Sequence, residues 1–237
     1  MSTLAGKVAL VTGGSRGIGL AIARALVDRG VRVAITGTNQ ASLDRSAHTL
    51  GADAIALRAD VRRYDEVEAA MKATVDRAGG LDILVNNAGV GAFEPVETMR
   101  LDAWQRVLET NITGVFHCSR AALPLLRARG GGWIVNISSL AGKNPFPNGA
   151  AYCASKAALN AFSDALMQEV RHDGIRVASV LPGSVHTGFM GREESDADRW
   201  KLAPEDVAQV VVDLLEHPGR SLPSRVEIRP SQPPKKG

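Results

Sequence analysis

Short, almost wholly apolar runs alternate with longer Ala- and Leu-rich stretches along the 237 residues. The runs at 7–12, 32–36, 54–58, 81–86, 132–137, 176–181 and 225–228 are rich in Val, Ile and Leu and predict strands. The stretches at 17–29, 40–50, 64–78, 101–128, 152–171 and 204–216 have helical length and predict helices. Strands that are apolar along their whole length are buried on both faces, which calls for parallel pairing with helices on either side. Such an alternation folds into one doubly wound α/β sheet. Ligands of these sheets bind outside the carboxyl ends of the strands, near the point where strand order reverses. The residues that directly follow each strand are therefore the candidates for chemistry. Without a repeat or a linker-like shift in composition, residues 1–237 are expected to form a single domain, with 230–237 as an extended Pro- and Lys-rich tail.

Composition narrows the function classes. The chain is 45% hydrophobic and 22% charged, as ordinary globular domains are. A net charge of +3 is too small to suggest nucleic acid. Two cysteines, Cys118 and Cys153, exclude a disulfide scaffold, and without a Cys/His cluster no metal is expected. Their free thiols and the lack of a membrane-length apolar run predict a cytoplasmic protein. The 24 glycines stand out beside two tyrosines, three tryptophans and five phenylalanines. Gly130-Gly131-Gly132 reads as a surface turn; other glycines sit at strand ends.

The first strand runs into Thr12-Gly13-Gly14-Ser15-Arg16-Gly17-Ile18-Gly19, and a helix follows. Glycines there let the backbone turn sharply and approach a pyrophosphate, with the helix N-terminus facing the negative charge. An NAD site places an acid about 20 residues further on, at the end of the second strand, for the ribose 2′-hydroxyl. Here Gly37 stands 18 residues after Gly19, and the first acid is Asp44, inside the next helix. No carboxylate repels a 2′-phosphate, and Arg16 and Thr38 are placed to bind one. This charge argument favours NADP(H) over NAD(H).

Further polar residues follow the other strands: Asp60-Val61, placed for an adenine edge, then Asn86-Asn87-Ala88-Gly89 and Ser138-Ser139. Tyr152 and Lys156 are four apart and share one helix face. A nearby ammonium and an oxidised nicotinamide would lower the phenol from its usual value of about 10. Tyr152 would then exchange a proton with an alcohol or carbonyl oxygen, and Ser139 would hold that oxygen. Phe93, Phe146 and Trp200 are candidate apolar walls. Cys153 reads as a small buried hydrophobe, and His117 and His186 as structural.

Together these residues resemble the short-chain dehydrogenase/reductase family, across about residues 5–190. The shared set is Thr12-Gly13-x-x-x-Gly17-x-Gly19, Asn87-Ala88-Gly89, Asn111, Ser139, Tyr152-x-x-x-Lys156 and Pro182-Gly183. The resemblance implies a Rossmann-like sheet of about seven parallel strands in the order 3-2-1-4-5-6-7. It implies a Ser139–Tyr152–Lys156 centre supported by Asn111, whose kinked segment would hold a water linking Lys156 to solvent. Ser139, 13 residues before Tyr152, matches the family's serine better than Ser138. Pro182, Gly183, Val185 and Thr187 correspond to the loop that clasps the nicotinamide. Residues 188–202 correspond to the substrate loop, with Phe189 and Met190 as apolar positions.

The activity implied is hydride transfer between NADP(H) and a small carbonyl or secondary alcohol. A 3-oxoacyl thioester reductase is the alternative, although Leu222–Pro230 differs from the Val-Asp-Gly-Gly ending of many such enzymes. A regulatory NADP-sensing module is the alternative from another class. A homodimer or homotetramer is expected, with helices 101–128 and 152–171 as a two-fold face.

Overall fold

The computed structural model describes residues 3–187 and 199–234. Seven strands form one open sheet: β1 (Val8–Thr12), β2 (Arg32–Gly37), β3 (Ile55–Arg58), β4 (Ile83–Asn86), β5 (Gly132–Ile137), β6 (Ile175–Pro182) and β7 (Arg225–Ile228). Their order is β3-β2-β1-β4-β5-β6-β7 and every pairing is parallel. The helices are α1 (Gly17–Val27), α2 (Gln40–Leu50), α3 (Tyr64–Ala78), α4 (Leu101–Leu108), α5 (Gly114–Ala128), α6 (Ala150–Val170) and α7 (Pro204–Leu215).

Successive strand residues point to opposite faces, so each strand feeds two cores. Ala9 and Val11 of β1 pack with Ile22 of α1, Leu43 of α2 and Val211 of α7. Val8 and Leu10 pack with Met71 of α3, Ala122 of α5 and Leu166 of α6. This two-sided burial is why β1 and β4, at the centre of the sheet, carry no polar residue before their last positions. Local signals stop and start the helices. Asn39 caps α2, its side chain accepting from the Ser42 N–H at 2.9 Å, and Gly79 ends α3 in the left-handed conformation.

Two expectations need correction. Residues 101–128 are not one helix, because a π-helical turn, Glu109–Thr113, separates α4 from α5. Gly114 just beyond it lies so close to the Val61 side chain that an added Cβ would stand 2.6 Å from Val61 Cγ2. Gly131 and Gly132 are also more than a surface turn. Both have positive φ, and a Cβ on either would stand 2.4 Å from a carbonyl oxygen, of Gly174 and Asp82 respectively.

Candidate active site

The sheet reverses order between β1 and β4, and a cavity of about 1180 Å³ opens at the carboxyl ends there. One hydroxyl joins the two strands. Thr12 Oγ1 donates to the Val85 carbonyl at 3.3 Å and accepts from the Asn87 and Ala88 N–H groups, each at 3.0 Å. The Asn87 amide donates to the Thr12 and Gly13 carbonyls at 2.9 and 3.1 Å, which pins the start of the glycine loop.

The loop's conformation is set by glycines. Gly13 and Gly17 have φ of +64° and +52°, in the left-handed region. A Cβ on Gly19 would stand 2.4 Å from Asn87 Nδ2 and from the Gly13 carbonyl oxygen. No side chain caps the N-terminus of α1, and no acid lies in its first turn. That cradle fits a dinucleotide diphosphate: among the described residues no side chain caps these N–H groups, and no acid stands in the first turn of the helix.

Gly13, Ser15, Arg16, Gly17, Ile18, Thr38, Asp60, Val61, Asn87, Ala88, Gly89, Ser139, Tyr152, Lys156, Pro182, Gly183, Val185 and Thr187 all line this one cavity. Gly19 and Asn111 do not; they stand behind the lining. Arg16 and Thr38 are exposed at its rim. Asp60 is already engaged, as Arg62 grips its carboxylate through Nε at 3.0 Å and Nη2 at 2.6 Å and holds it below its usual range. Arg62 was not picked out from the sequence; the only signal was a cation two residues beyond the acid. His117 takes a structural part through Nδ1, 3.0 Å from the Val61 carbonyl. His186 lines the cavity, and its buried Nε2 has no hydrogen-bond partner among the described residues.

The Asn111 side chain is fully used. It accepts from the Val90 N–H at 2.9 Å and donates to the Val90 carbonyl at 2.8 Å and to Ser155 Oγ at 3.0 Å. Ser155 in turn donates to the Tyr152 carbonyl at 2.8 Å, so the π-helical turn is tied to the start of α6. Lys156 is buried and its Nζ donates to the Ile137 carbonyl at 2.9 Å. This ammonium lies 5.8 Å from the centre of the Tyr152 ring. Burial pulls Lys156 down from 10.5 to about 8.

Burial also pushes the Tyr152 phenol above its usual value, while a hydrogen bond with Ser139 opposes the rise. The expected lowering by Lys156 is not found in the chain alone: burial raises the phenol, and the one opposing influence is the hydrogen bond with Ser139. Ser139 Oγ also accepts from the Ala141 N–H at 3.1 Å. Phe93 stands edge-on to Tyr152 at 5.5 Å and Phe146 is tilted against Phe93 at 5.9 Å, so one of the three candidate walls meets the Tyr152 ring and a second backs it, although neither lines the cavity itself. Among the described residues Trp200 does not join that row; Lys201 lies 5.9 Å over its ring. Cys153 is a buried thiol, as expected.

The loop after β6 closes over α1. Gly183 donates to the Ile228 carbonyl at 2.8 Å, and His186 N–H donates to the Leu202 carbonyl at 2.7 Å. Thr187 reaches the glycine loop, with its Cγ2 3.4 Å from where a Gly17 Cβ would be. Most of the expected substrate loop, residues 188–198 with Phe189 and Met190, lies outside the described residues.

Comparison with known proteins agrees with this arrangement. A model of the short chain dehydrogenase family matches residues 7–198. An uncharacterized oxidoreductase of Staphylococcus epidermidis is 35% identical, over 97% of this chain and all of the relative. An alcohol dehydrogenase of Thermococcus sibiricus, solved with 5-hydroxy-NADP, superposes with a TM-score of 0.89 at 31% identity, covering 97% and 99% of the two chains. A 3-ketoacyl-(acyl-carrier-protein) reductase of Brucella melitensis, solved with NADH, gives 0.88 at 30% identity and the same coverage.

Proposed function

The chain belongs to the short chain dehydrogenase family and is an NAD(P)-dependent oxidoreductase, and from that premise we propose that it is an NADP(H)-dependent carbonyl reductase, acting in reverse as an alcohol dehydrogenase. The observation that carries this reading is the convergence of the Ser139 and Tyr152 side chains beside the buried Lys156, at the end of the cavity away from Thr38 and Asp60. Among the described residues, no helix is long and apolar enough to cross a membrane.

Gly13 to Gly19 and the start of α1 hold the diphosphate, and Arg16 with Thr38 takes the 2′-phosphate. Asp60 and Val61 meet the adenine. Asn87, Ala88 and Gly89 support the ribose on the nicotinamide side, and Pro182, Gly183, Val185 and Thr187 clasp the carboxamide. The bound cofactor supplies or accepts the hydride. Ser139 donates a hydrogen bond to the substrate oxygen and fixes it beside Tyr152. In reduction Tyr152 gives its proton to that oxygen; in oxidation it takes the alcohol proton. Lys156 holds the ribose and adds positive charge near the phenol. Asn111 keeps the Gly89–Val90 segment and α6 in place around Lys156.

The raised phenol fits the reductive direction, since a protonated Tyr152 is ready to donate near neutral pH. Tyr152→Phe keeps the ring and removes the proton. It should lower kcat by about a hundredfold or more and leave NADPH binding intact. Near-normal turnover in a stopped-assay panel of ketones would refute the assignment. The likeness to the Brucella melitensis enzyme favours a second reading, a 3-oxoacyl thioester reductase. Activity on an acetoacetyl thioester well above that on simple ketones would select it. The family and its oxidoreductases set aside a sensing module without catalysis. We also propose a cytoplasmic homodimer or homotetramer.

A further inference from the structure

Two consecutive serines directly follow β5, and their hydroxyls face opposite ways. Ser139 has extended backbone, φ −164° and ψ 154°, so its neighbour's side chain points to the other side. Ser139 faces the cavity. Ser138 is buried, and its hydroxyl donates to Asn160 Oδ1 at 2.6 Å, with the Lys156 carbonyl 3.4 Å away. Asn160 and Lys156 are one turn apart on α6. The residues after Ser139 form a short 3-10 turn, Leu140–Gly142, which lies on the same turn of α6. Gly142 is packed so tightly there that a Cβ would stand 2.7 Å from both Asn160 Nδ2 and the Lys156 carbonyl carbon. At the far end Lys143 pairs with Glu227 of β7.

Resting on the proposed reductase reading, we infer that Ser138, through Asn160, is a positioning residue that keeps the Ser139 turn in register with the Tyr152–Lys156 turn of α6. Proton transfer needs the Ser139 hydroxyl, the Tyr152 hydroxyl and the substrate oxygen within hydrogen-bond reach of one another. Two of these groups come from different elements, the turn after β5 and α6. Backbone pairing of β5 with β4 and β6 sets the height of Ser139 on the sheet but leaves its separation from α6 free. Lys156 ties α6 to the Ile137 carbonyl just before the serines, and the Ser138–Asn160 bond adds a second tie one residue further on, next to Ser139 itself. The Gly142 contact limits how close the two can come.

The test compares Ser138→Ala, Asn160→Ala and the double variant with the unaltered chain. The expected result is a kcat about tenfold lower in each single variant, since displacement of a reacting group by about 1 Å can cost up to a hundredfold. KM and Kd for NADPH should stay within about twofold, because the Ser138 hydroxyl is turned to Asn160 even though Ser138 borders the cavity, and Asn160 does not line it; the double variant should lose no more than the singles. Unchanged kcat, or additive losses, would overturn the inference. A second readout is independent of turnover. The Ala141 N–H bonds to Ser139 Oγ at 3.1 Å and the Lys143 N–H to the Leu140 carbonyl at 2.9 Å. Both amides should exchange with solvent faster in Ser138→Ala, while those of β5 stay protected. Equal exchange would overturn the tether. If Ser138→Ala fails to fold, Asn160→Ala with the same exchange measurement decides. An unaltered chain that turns over no carbonyl would refute the proposed reaction, and exchange would still judge the tether.

Discussion

At Lys156 the cost of burying an ammonium outweighs the single carbonyl that receives it. Its value falls from 10.5 unfolded to about 8 in the folded chain. Between those two pH values the unfolded chain binds more protons, so this residue makes stability rise with pH across that window. Below about 8 the native state carries the whole cost. Lys156→Met should therefore raise the melting temperature at pH 7, with a gain of about 1–3 kcal/mol, and abolish turnover. The gain should fade as pH rises from 8 to 10.5; thermal scans at both ends check it, and a gain independent of pH would refute it. Gly37 offers a second test. Its φ is not in the left-handed region, and an added Cβ would meet Leu43 at 3.6 Å and Ser15 Oγ at 3.7 Å, ordinary contacts. Gly37→Asp should fold normally and place a carboxylate where a 2′-phosphate would lie. The ratio of kcat/KM for NADPH over NADH should fall by about a hundredfold, measured by absorbance with both cofactors in parallel.

Among the elements, the π-helical turn between α4 and α5 buries two polar residues, Thr110 and Asn111. Asn111→Ala would leave the buried Val90 N–H and carbonyl without the partners they now have at 2.9 and 2.8 Å. A loss of about 2–4 kcal/mol is expected, read as a lower urea midpoint. The turn itself was not legible as a break in periodicity. One extra residue per turn leaves the apolar pattern of 101–128 intact, and only the polar Thr110-Asn111 inside it hints at the interruption. The strands were legible because burial on both faces leaves them no freedom in composition. The motif residues were legible for a related reason, since they follow strands whose positions were already known. Residues that hold the motif in place were not. Ser138, Asn160 and Ser155 do their work through partners far along the chain, and no local pattern pairs Ser138 with Asn160. The upward shift of Tyr152 in the chain alone was not legible for the same cause: desolvation depends on what packs around the ring, Phe93 among it.

Across the whole molecule, apolar side chains remain on the outer surface of two helices. Leu101 is 87% exposed on α4, and Trp104 and Phe116 are 37% and 44% exposed on α4 and α5. Exposed apolar groups of this size suit a self-association surface. Light scattering after gel filtration should give at least a dimer, and Leu101→Glu with Phe116→Glu should shift the chain toward monomer without lowering its melting temperature by more than a few degrees. A monomeric unaltered chain would refute this.

The reversal of strand order at β1 has one more consequence. The determinants proposed for the adenosine half of the cofactor, Arg16, Gly37, Thr38 and Asp60, lie at or just beyond the ends of β1, β2 and β3, on one side of the parting. Phe93, Ser139, Phe146 and Tyr152, which would meet the carbonyl, all follow β4 or β5, on the other. Choice of reductant and choice of substrate are thus written in separate stretches of the gene, the first before about residue 60 and the second after it. A lineage can revise one without rewriting the other, and chimaeras joined in the segment that crosses from β3 to β4 would inherit each trait from a different parent.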